Sequence, residues 1–282
     1  MTRKLFIVAL LLIAGVLIFI NKGGDEAPYH SFHGNIFGTR YKVQYQAHKK
    51  LHKKLGLTPN QLKQQVENEF QRIDNIASSW KADSEISRFN RSAAKDDFRL
   101  SKELSEIIAL SEEVKASTDG AFDIHYRGNE IDVSAIAKGY AVDRICDYLG
   151  EELHIDAFLV DIGGEIKAKG KNAKGKLWTV AIYIPPSHAH VKGPHVELSD
   201  TSIATSGQYF KPDHIKQAGH GISNDLLSSS VIHPSNATAD ALATALFVMG
   251  SEAGLAWAKE HKIRAIFIKT DGTVIETMGA KR

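Results

Sequence analysis

Hydrophobic positions along this chain change rhythm several times, and each rhythm predicts an element. From Leu5 to Ile20 the run is continuously apolar, behind Arg3 and Lys4. At ~1.5 Å rise per residue it makes a helix of roughly 24 Å, a little short of the ~30 Å hydrocarbon layer of a bilayer. That length suits a signal-anchor or a secretory signal. No small-x-small cleavage site follows Ile20, which favours the anchor. The flanking positive charges keep that end inside and send the rest across the membrane. Residues 1–21 are assigned as signal-anchor or signal peptide, residues 22–31 as a linker, and residues 32–282 as one domain.

Beyond the linker the period alternates between two and 3.6. Tyr41, Val43 and Tyr45 alternate with polar residues in SFHGNIFGTRYKVQY and predict a strand. Thr58-Pro59 with Gln61 is a capping box, and Leu62, Val66, Phe70, Ile73 and Ile76 continue at helical spacing. A second amphipathic helix places Leu104, Ile107, Ile108 and Val114 inward and stops at Gly120. AIAKGYAVDRICDYLG reads as a third helix ending at Gly150. Short strands follow in AFLVDIGG, EIKAKG, LWTVAIYI, HVELSD and TSIATSG, and SSSVIHP precedes the next helix. Then come two helices, ATADALATALFVMG and EAGLAWAKEHK, and two strands, IRAIFIKT and TVIETM. The expected fold is α+β: one mixed-sheet domain with packed helices.

Composition narrows the function classes. A net charge of +2 over 282 residues gives no electrostatic reason to expect nucleic acid. The one dense basic run, HKKLHKK from His48, reads as a solvated loop or strand end. Cys146 is the sole cysteine and makes no intrachain disulfide; its apolar-periodic position marks a buried structural thiol.

Four stretches carry candidate chemistry. Asp240 and Thr244 share one face of an otherwise apolar helix. Together they supply two oxygens to a hard cation such as Mg²⁺; alternatively, Asp240 caps a neighbouring loop and Thr244 bonds back to a carbonyl. In FLVDIGGEI, Gly163-Gly164 ahead of Glu165 either frees amides for a phosphate or makes a plain β-turn. Lys138, near a helix start, either favours an anion or is simply solvated. Thr205 and Ser206, ahead of Gly207, suit a turn at a phosphate or ribose, or a Ser/Thr-rich turn with no ligand.

The order of these stretches adds more than any one of them. GTRYKV, DSEISRFN, DGAFDI, AIAKGYAVD, FLVDIGGEI, IATSGQY and ADALATALFVMG, in that sequence, resemble the FAD:protein FMN transferase (ApbE) family. The resemblance implies an ApbE/T-fold-like domain and Mg²⁺-dependent transfer of FMN from FAD to a Ser/Thr hydroxyl of a partner protein, with AMP released. It implies metal ligation by Asp240 and Thr244 with backbone oxygen from Ala135 and Ala243. Lys138 would lie near the phosphates. Gly38, Thr39, Gly163, Gly164, Glu165, Thr205 and Ser206 would line the FAD site, and Trp80 would stack on the flavin. The implied setting is a bacterial inner membrane with the domain facing the periplasm, or the periplasm itself if the signal is cleaved. The acceptor would belong to a membrane or periplasmic redox system.

Two segments depart from the family. Its members usually carry a histidine in a segment like S-H-I-I-D-P-x-T-G. Here KPDHIKQAGHGISNDLLSSSV stands instead, with His220 the nearest equivalent of the base and His214 a poorer one. Between DGAFDI and AIAKGY only HYRGNEIDVS remains, where the family has a longer flavin loop. These departures leave two further readings: a non-catalytic FAD-binding protein or assembly factor of a redox complex, and an Mg²⁺-dependent FAD hydrolase.

Overall fold

A computed structural model of the chain describes residues 28–47, 49–209, 215 and 225–277. The apolar N-terminal run, His214 and His220 lie outside the described residues.

The first strand pattern is a hairpin rather than one strand. β1 (Tyr29–Ile36) and β2 (Thr39–Gln46) pair antiparallel, Tyr29 opposite Gln46 and Ile36 opposite Thr39. Phe37 and Gly38, with φ of 50° and 69°, form a two-residue turn whose positive φ values match the twist of paired strands. The expected linker therefore ends before Tyr29, not at Ser31. HKKLHKK is not a loop: Lys49–Leu55 forms a short helix, α1. Leu51 and Leu55, four residues apart, pack on the core and leave the lysines outward.

α2 (Pro59–Ala77) starts at the expected capping box and buries Leu62, Val66, Phe70, Ile73 and Ile76. α3 (Glu85–Arg91), not anticipated from the sequence, is followed by α4 (Lys102–Ser117), which buries Leu104, Ile107 and Val114 and leaves Ile108 half-buried. α5 (Ser134–Asp147) runs on into one wider turn, Tyr148–Glu152. Then come β3 (Phe158–Ile162), β4 (Glu165–Lys169), β5 (Trp178–Ala181), β6 (His195–Leu198), β7 (Thr201–Gly207) and β8 (Leu226–His233). α6 (Asn236–Glu260), β9 (Arg264–Lys269) and β10 (Val274–Glu276) complete the described chain.

Eight strands form one sheet in the order β1-β2-β3-β4-β7-β8-β9-β10. Every neighbouring pair is antiparallel, so the sheet is not mixed as expected. The reason is that each helical excursion returns to the end of the sheet it left. α6 shows how. Gly250 is non-helical (φ 80°, ψ 177°), which separates the two expected helices and folds the second back on the first. A Cβ on Gly254 would lie 3.0 Å from Leu246 O, whereas eight residues of straight helix would separate those positions by about 12 Å.

Side chains alternate between two cores. Phe158, Val160, Ala265 and Phe267 join α2, α4, α5 and α6 on one face. Leu159, Ile203, Ile266 and Ile268 meet the β5–β6 hairpin, with Trp178, Val196 and Leu198, on the other.

Candidate functional site

The helical face of the sheet carries a polar locus where α5 and α6 touch. Gly139 makes that contact: a Cβ there would lie 2.4 Å from Asn236 O, inside any real contact distance. Asp143, one turn along α5, accepts hydrogen bonds from Ser235 Oγ (2.9 Å) and Ala237 N (3.0 Å) and pairs with Lys167 Nζ at 2.6 Å. Asn236 Nδ2 donates to the Ile203 carbonyl at 3.0 Å. The start of α6 is thereby pinned to α5, β4 and β7, and Asp240 hangs from it.

Asp240 is 3% exposed, and its Oδ2 accepts from Gly139 N at 3.1 Å. Glu165, at the first position of β4, is 2% exposed and pairs through Oε1 with Lys138 Nζ at 2.5 Å. Its other oxygen, Oε2, is buried without a hydrogen-bond partner. Burial raises the pKa of Glu165, with Asp240 adding and Lys138 opposing. Burial likewise raises Asp240, against Lys138 and Gly139 N. Burial alone would lower Lys138, but Asp240 and Glu165 outweigh it and hold the ammonium charged. One turn beyond Asp240, Thr244 Oγ1 shares a 2.9 Å hydrogen bond with Ser206 Oγ, not with a carbonyl of its own helix. The Ala243 carbonyl accepts from Ser229 Oγ at 2.5 Å. Ala135, half-buried in the first turn of α5, lies one turn before Gly139.

These donors fit a hard divalent cation. Two buried carboxylates face one ammonium, one carboxylate oxygen has no partner, and the remaining donors are hydroxyl and carbonyl oxygens. Among the described residues no group of three or more His, Cys, Asp or Glu gathers, so the softer nitrogen and sulfur sets of zinc sites are not formed.

The other nominated residues divide. Gly38, Thr39, Gly163 and Gly164 come together as two abutting turns at the same end of the sheet. A Cβ on Gly163 would lie 2.7 Å from Thr39 Cγ2, and Gly163 N donates to Arg40 O at 2.9 Å. Gly164 N donates to Asp161 Oδ1 at 2.9 Å. The two amides are therefore engaged within the protein. The glycines are required by the close approach of the turns and by φ values of 65° and 108°, not by free N–H groups. Thr205 and Ser206 lie in a strand, not a turn, so they point to opposite faces. Ser206 joins Thr244, while Thr205 Oγ1 meets Ser230 Oγ at 2.8 Å on the hairpin side, away from Asp240. Lys138 is half-buried and ion-paired with Glu165, so it is not an isolated anion site. Trp80 is 84% exposed, on the turn before α3. Cys146 is buried, and burial raises its thiol, so it carries no chemistry.

Sequence reasoning missed several supporting residues. Asp132 accepts from Ser79 Oγ (3.0 Å), Ser134 N (3.0 Å) and Tyr126 OH (2.8 Å), and pairs with Arg127 at 3.2 Å. It joins the Trp80 turn to the start of α5. Tyr209 lies close enough to Glu165 to feel its charge, and burial pushes its phenol up to about 12. Asp143 stood in the sequence as the last residue of AIAKGYAVD, a position whose capping of another helix no local pattern reveals.

Known proteins resemble this chain in sequence and fold. A model of the ApbE family matches residues 37–129 and 124–267. The FAD:protein FMN transferase of Vibrio cholerae is 28% identical, over 88% of this chain and 90% of the relative. That of Escherichia coli K12 is 25% identical, over 77% and 79%. Among solved structures, the flavinyl transferase ApbE of Pseudomonas stutzeri, in its apo form, superposes with a TM-score of 0.81 at 28% identity, over 90% of this chain and 96% of that one. The flavin transferase ApbE of Vibrio cholerae superposes with a TM-score of 0.79 at 27% identity, over 89% and 96%. With most of its length matched by the family model, and its fold shared with these structures, the chain belongs to the ApbE family.

Proposed function

We propose that this protein transfers FMN from FAD to a Ser or Thr hydroxyl of a partner protein and releases AMP. The observation that carries the reading is the buried pair Asp240 and Glu165 beside half-buried Lys138, with Glu165 Oε2 unpartnered, in a fold shared with flavin transferases. Asp240 and Thr244, with the carbonyls of Ala135 and Ala243, are the proposed holders of Mg²⁺. When bound, that ion neutralises charge on the pyrophosphate and the departing AMP. Phosphoryl-type transfer depends mainly on positioning and charge stabilisation. Lys138, held charged between two carboxylates, supplies a fixed positive group beside the phosphates. The abutting turns at Gly38-Thr39 and Gly163-Gly164 form the wall of the cleft, and Trp80 stacks on the flavin.

In the reaction the acceptor oxygen bonds to the FMN phosphorus. The bond from that phosphorus to the bridging oxygen breaks, and its electron pair leaves with AMP. The hydroxyl proton passes to a base, assigned to His220 from its place in the sequence after the T-S-G motif. The apolar run at residues 5–20 and its flanking charges support a membrane-anchored domain on the outer face of a bacterial inner membrane. The test is incubation of the full chain with FAD, Mg²⁺ and periplasmic extract, following in-gel flavin fluorescence and AMP together. A fluorescent acceptor band with matching AMP supports transfer. AMP and free FMN without a labelled band would make the protein a hydrolase; FAD binding without AMP would make it a carrier or assembly factor.

A further inference from the structure

Exposed lysines gather in two segments at one end of the sheet. The proposed FAD site occupies the other end, at the turns after Ile36 and Ile162 and at the start of β4. At the lysine end the described chain begins: Ala47 N donates to Pro28 O, and Tyr29 OH donates to Lys171 O. Both contacts tie the entry point of the chain to lysine-rich segments. α1 follows directly on Ala47 and exposes Lys49, Lys50, Lys53 and Lys54. The loop between β4 and β5, in which Tyr29 touches Lys171 and its ring meets that of Trp178 at 5.8 Å, exposes Lys171, Lys174 and Lys176. None of these seven lysines forms an ion pair among the described residues, although lysines elsewhere do, such as Lys63, Lys81, Lys115 and Lys269. The acidic residues at this end are Asp200, exposed one residue before Thr201, which pairs with Ala168, and Glu151, Glu152 and Asp156 ahead of β3. Leu177, 36% exposed, adds an apolar side chain to the same loop.

We propose that this end of the molecule docks on anionic phospholipid headgroups. Its two lysine segments lie against the membrane, and the cleft is held at the far end of the strands. Three observations favour lipid over an acidic protein. The lysines flank the point where the chain emerges from the N-terminal side, and an apolar run of bilayer-like length lies just upstream in the sequence. They sit on two separate segments at one sheet end, which suits a flat anionic surface better than a single acidic peptide. Among the described residues they form no ion pair, which leaves their charge available to anionic headgroups. β2 has eight residues from Thr39 to Gln46. At ~3.3 Å per residue the cleft turn then stands roughly 25 Å from the lysine end. The active site therefore faces away from the bilayer, toward acceptor hydroxyls carried off its surface. This surface is independent of the transfer chemistry and stands or falls separately from it.

The test is amine acetylation of the full chain in phosphatidylcholine vesicles with and without phosphatidylglycerol, read lysine by lysine by mass spectrometry. With phosphatidylglycerol, labelling of the seven lysines is expected to fall by about tenfold, while Lys269, at the cleft end, labels unchanged. High salt should restore labelling, because the attraction is screened within a few ångströms at ~1 M. A chain carrying Lys49→Gln, Lys50→Gln, Lys53→Gln and Lys54→Gln should lose most of the protection at Lys171, Lys174 and Lys176 and keep its melting temperature. Equal labelling in both lipids would overturn the proposal. So would protection of Lys171 to Lys176 that survives the four substitutions, since the two segments would not then share one surface. Protection by extract proteins without lipid would transfer the surface to an acidic protein and also overturn it.

Discussion

Asp240 occupies a position where a lone carboxylate would cost several kcal/mol by desolvation. Gly139 N and the charge on Lys138 offset part of that, while Glu165, beside it, is itself pushed up to about 8 by burial, with Asp240 adding. Two buried acids, both raised by their burial and one with an oxygen left unpartnered, are the residue-scale case for a cation. Asp240→Asn keeps the shape and one acceptor and removes the charge. Mg²⁺ affinity, measured by calorimetry, should fall by more than the ~10–100-fold that an outer-shell partner typically contributes. An unchanged affinity in a folded variant would remove Asp240 from the metal site. A second prediction concerns the flavin. FAD should quench tryptophan emission, and Trp80→Phe should remove most of the quench, because Trp178 is buried in the second core and Trp257 stacks on His261 with ring centroids 4.0 Å apart. Stacking is worth about 0.5–1.5 kcal/mol beyond area burial, so Trp80→Ala should weaken FAD by roughly three- to tenfold. Some of the site was legible at this scale. Two polar residues on an apolar helix face identified α6, and the glycines before Glu165 identified the β3–β4 turn. The pairing of Lys138 with Glu165 was not legible, because 27 positions of chain separate them and only the packing of α5 over β4 closes the gap.

At the scale of elements, the α5–α6 contact fixes the site, and Gly139 is where it is tightest. Gly139→Ala should raise intrinsic helix propensity by ~1 kcal/mol, yet its methyl group would meet backbone atoms that cannot rotate aside. Overpacking of this kind typically costs about 1–3 kcal/mol, so urea unfolding should show net destabilisation together with weaker Mg²⁺ binding. Asp132 supplies the other tie. Burial alone would raise its pKa, but Ser134, Tyr126 and Arg127 together hold it below the ordinary Asp value. A carboxylate depressed in the folded state contributes stability above its unfolded pKa and loses it as pH falls through the folded one. The melting temperature of Asp132→Asn should therefore lie below wild type at neutral pH, and the gap should narrow under acid; a gap independent of pH would mean that the ion contributes nothing. Helices with a clean 3.6 period, such as α2, were legible to the capping residue. The β1–β2 turn was hidden because Phe37-Gly38 interrupts the apolar alternation too briefly to be noticed. α1 was hidden because a helix with two apolar residues and four lysines reads as a solvated run. Reading Thr205-Ser206 as a turn concealed the strand parity that sends the two hydroxyls to opposite faces.

At the scale of the molecule, the α+β class followed from the alternation of periods, but the antiparallel order of all eight strands did not. That order depends on whether each helical excursion returns to its starting edge, and for α6 the return depends on one residue, Gly250. The same topology has a bearing on biosynthesis. The first hairpin pairs with neighbours in sequence, whereas the proposed cation locus draws on α5, β4, β7 and the first half of α6. Contacts of such long sequence separation form late, after loop closure. A ribosome-bound chain arrested before Asn236 should retain no FAD in a pull-down, while a chain released after Glu276 should. If the arrested chain also held FAD, the locus would not be what holds the nucleotide. On the proposed function, a nascent polypeptide of this kind would pass through most of its translation before the locus that holds the nucleotide exists.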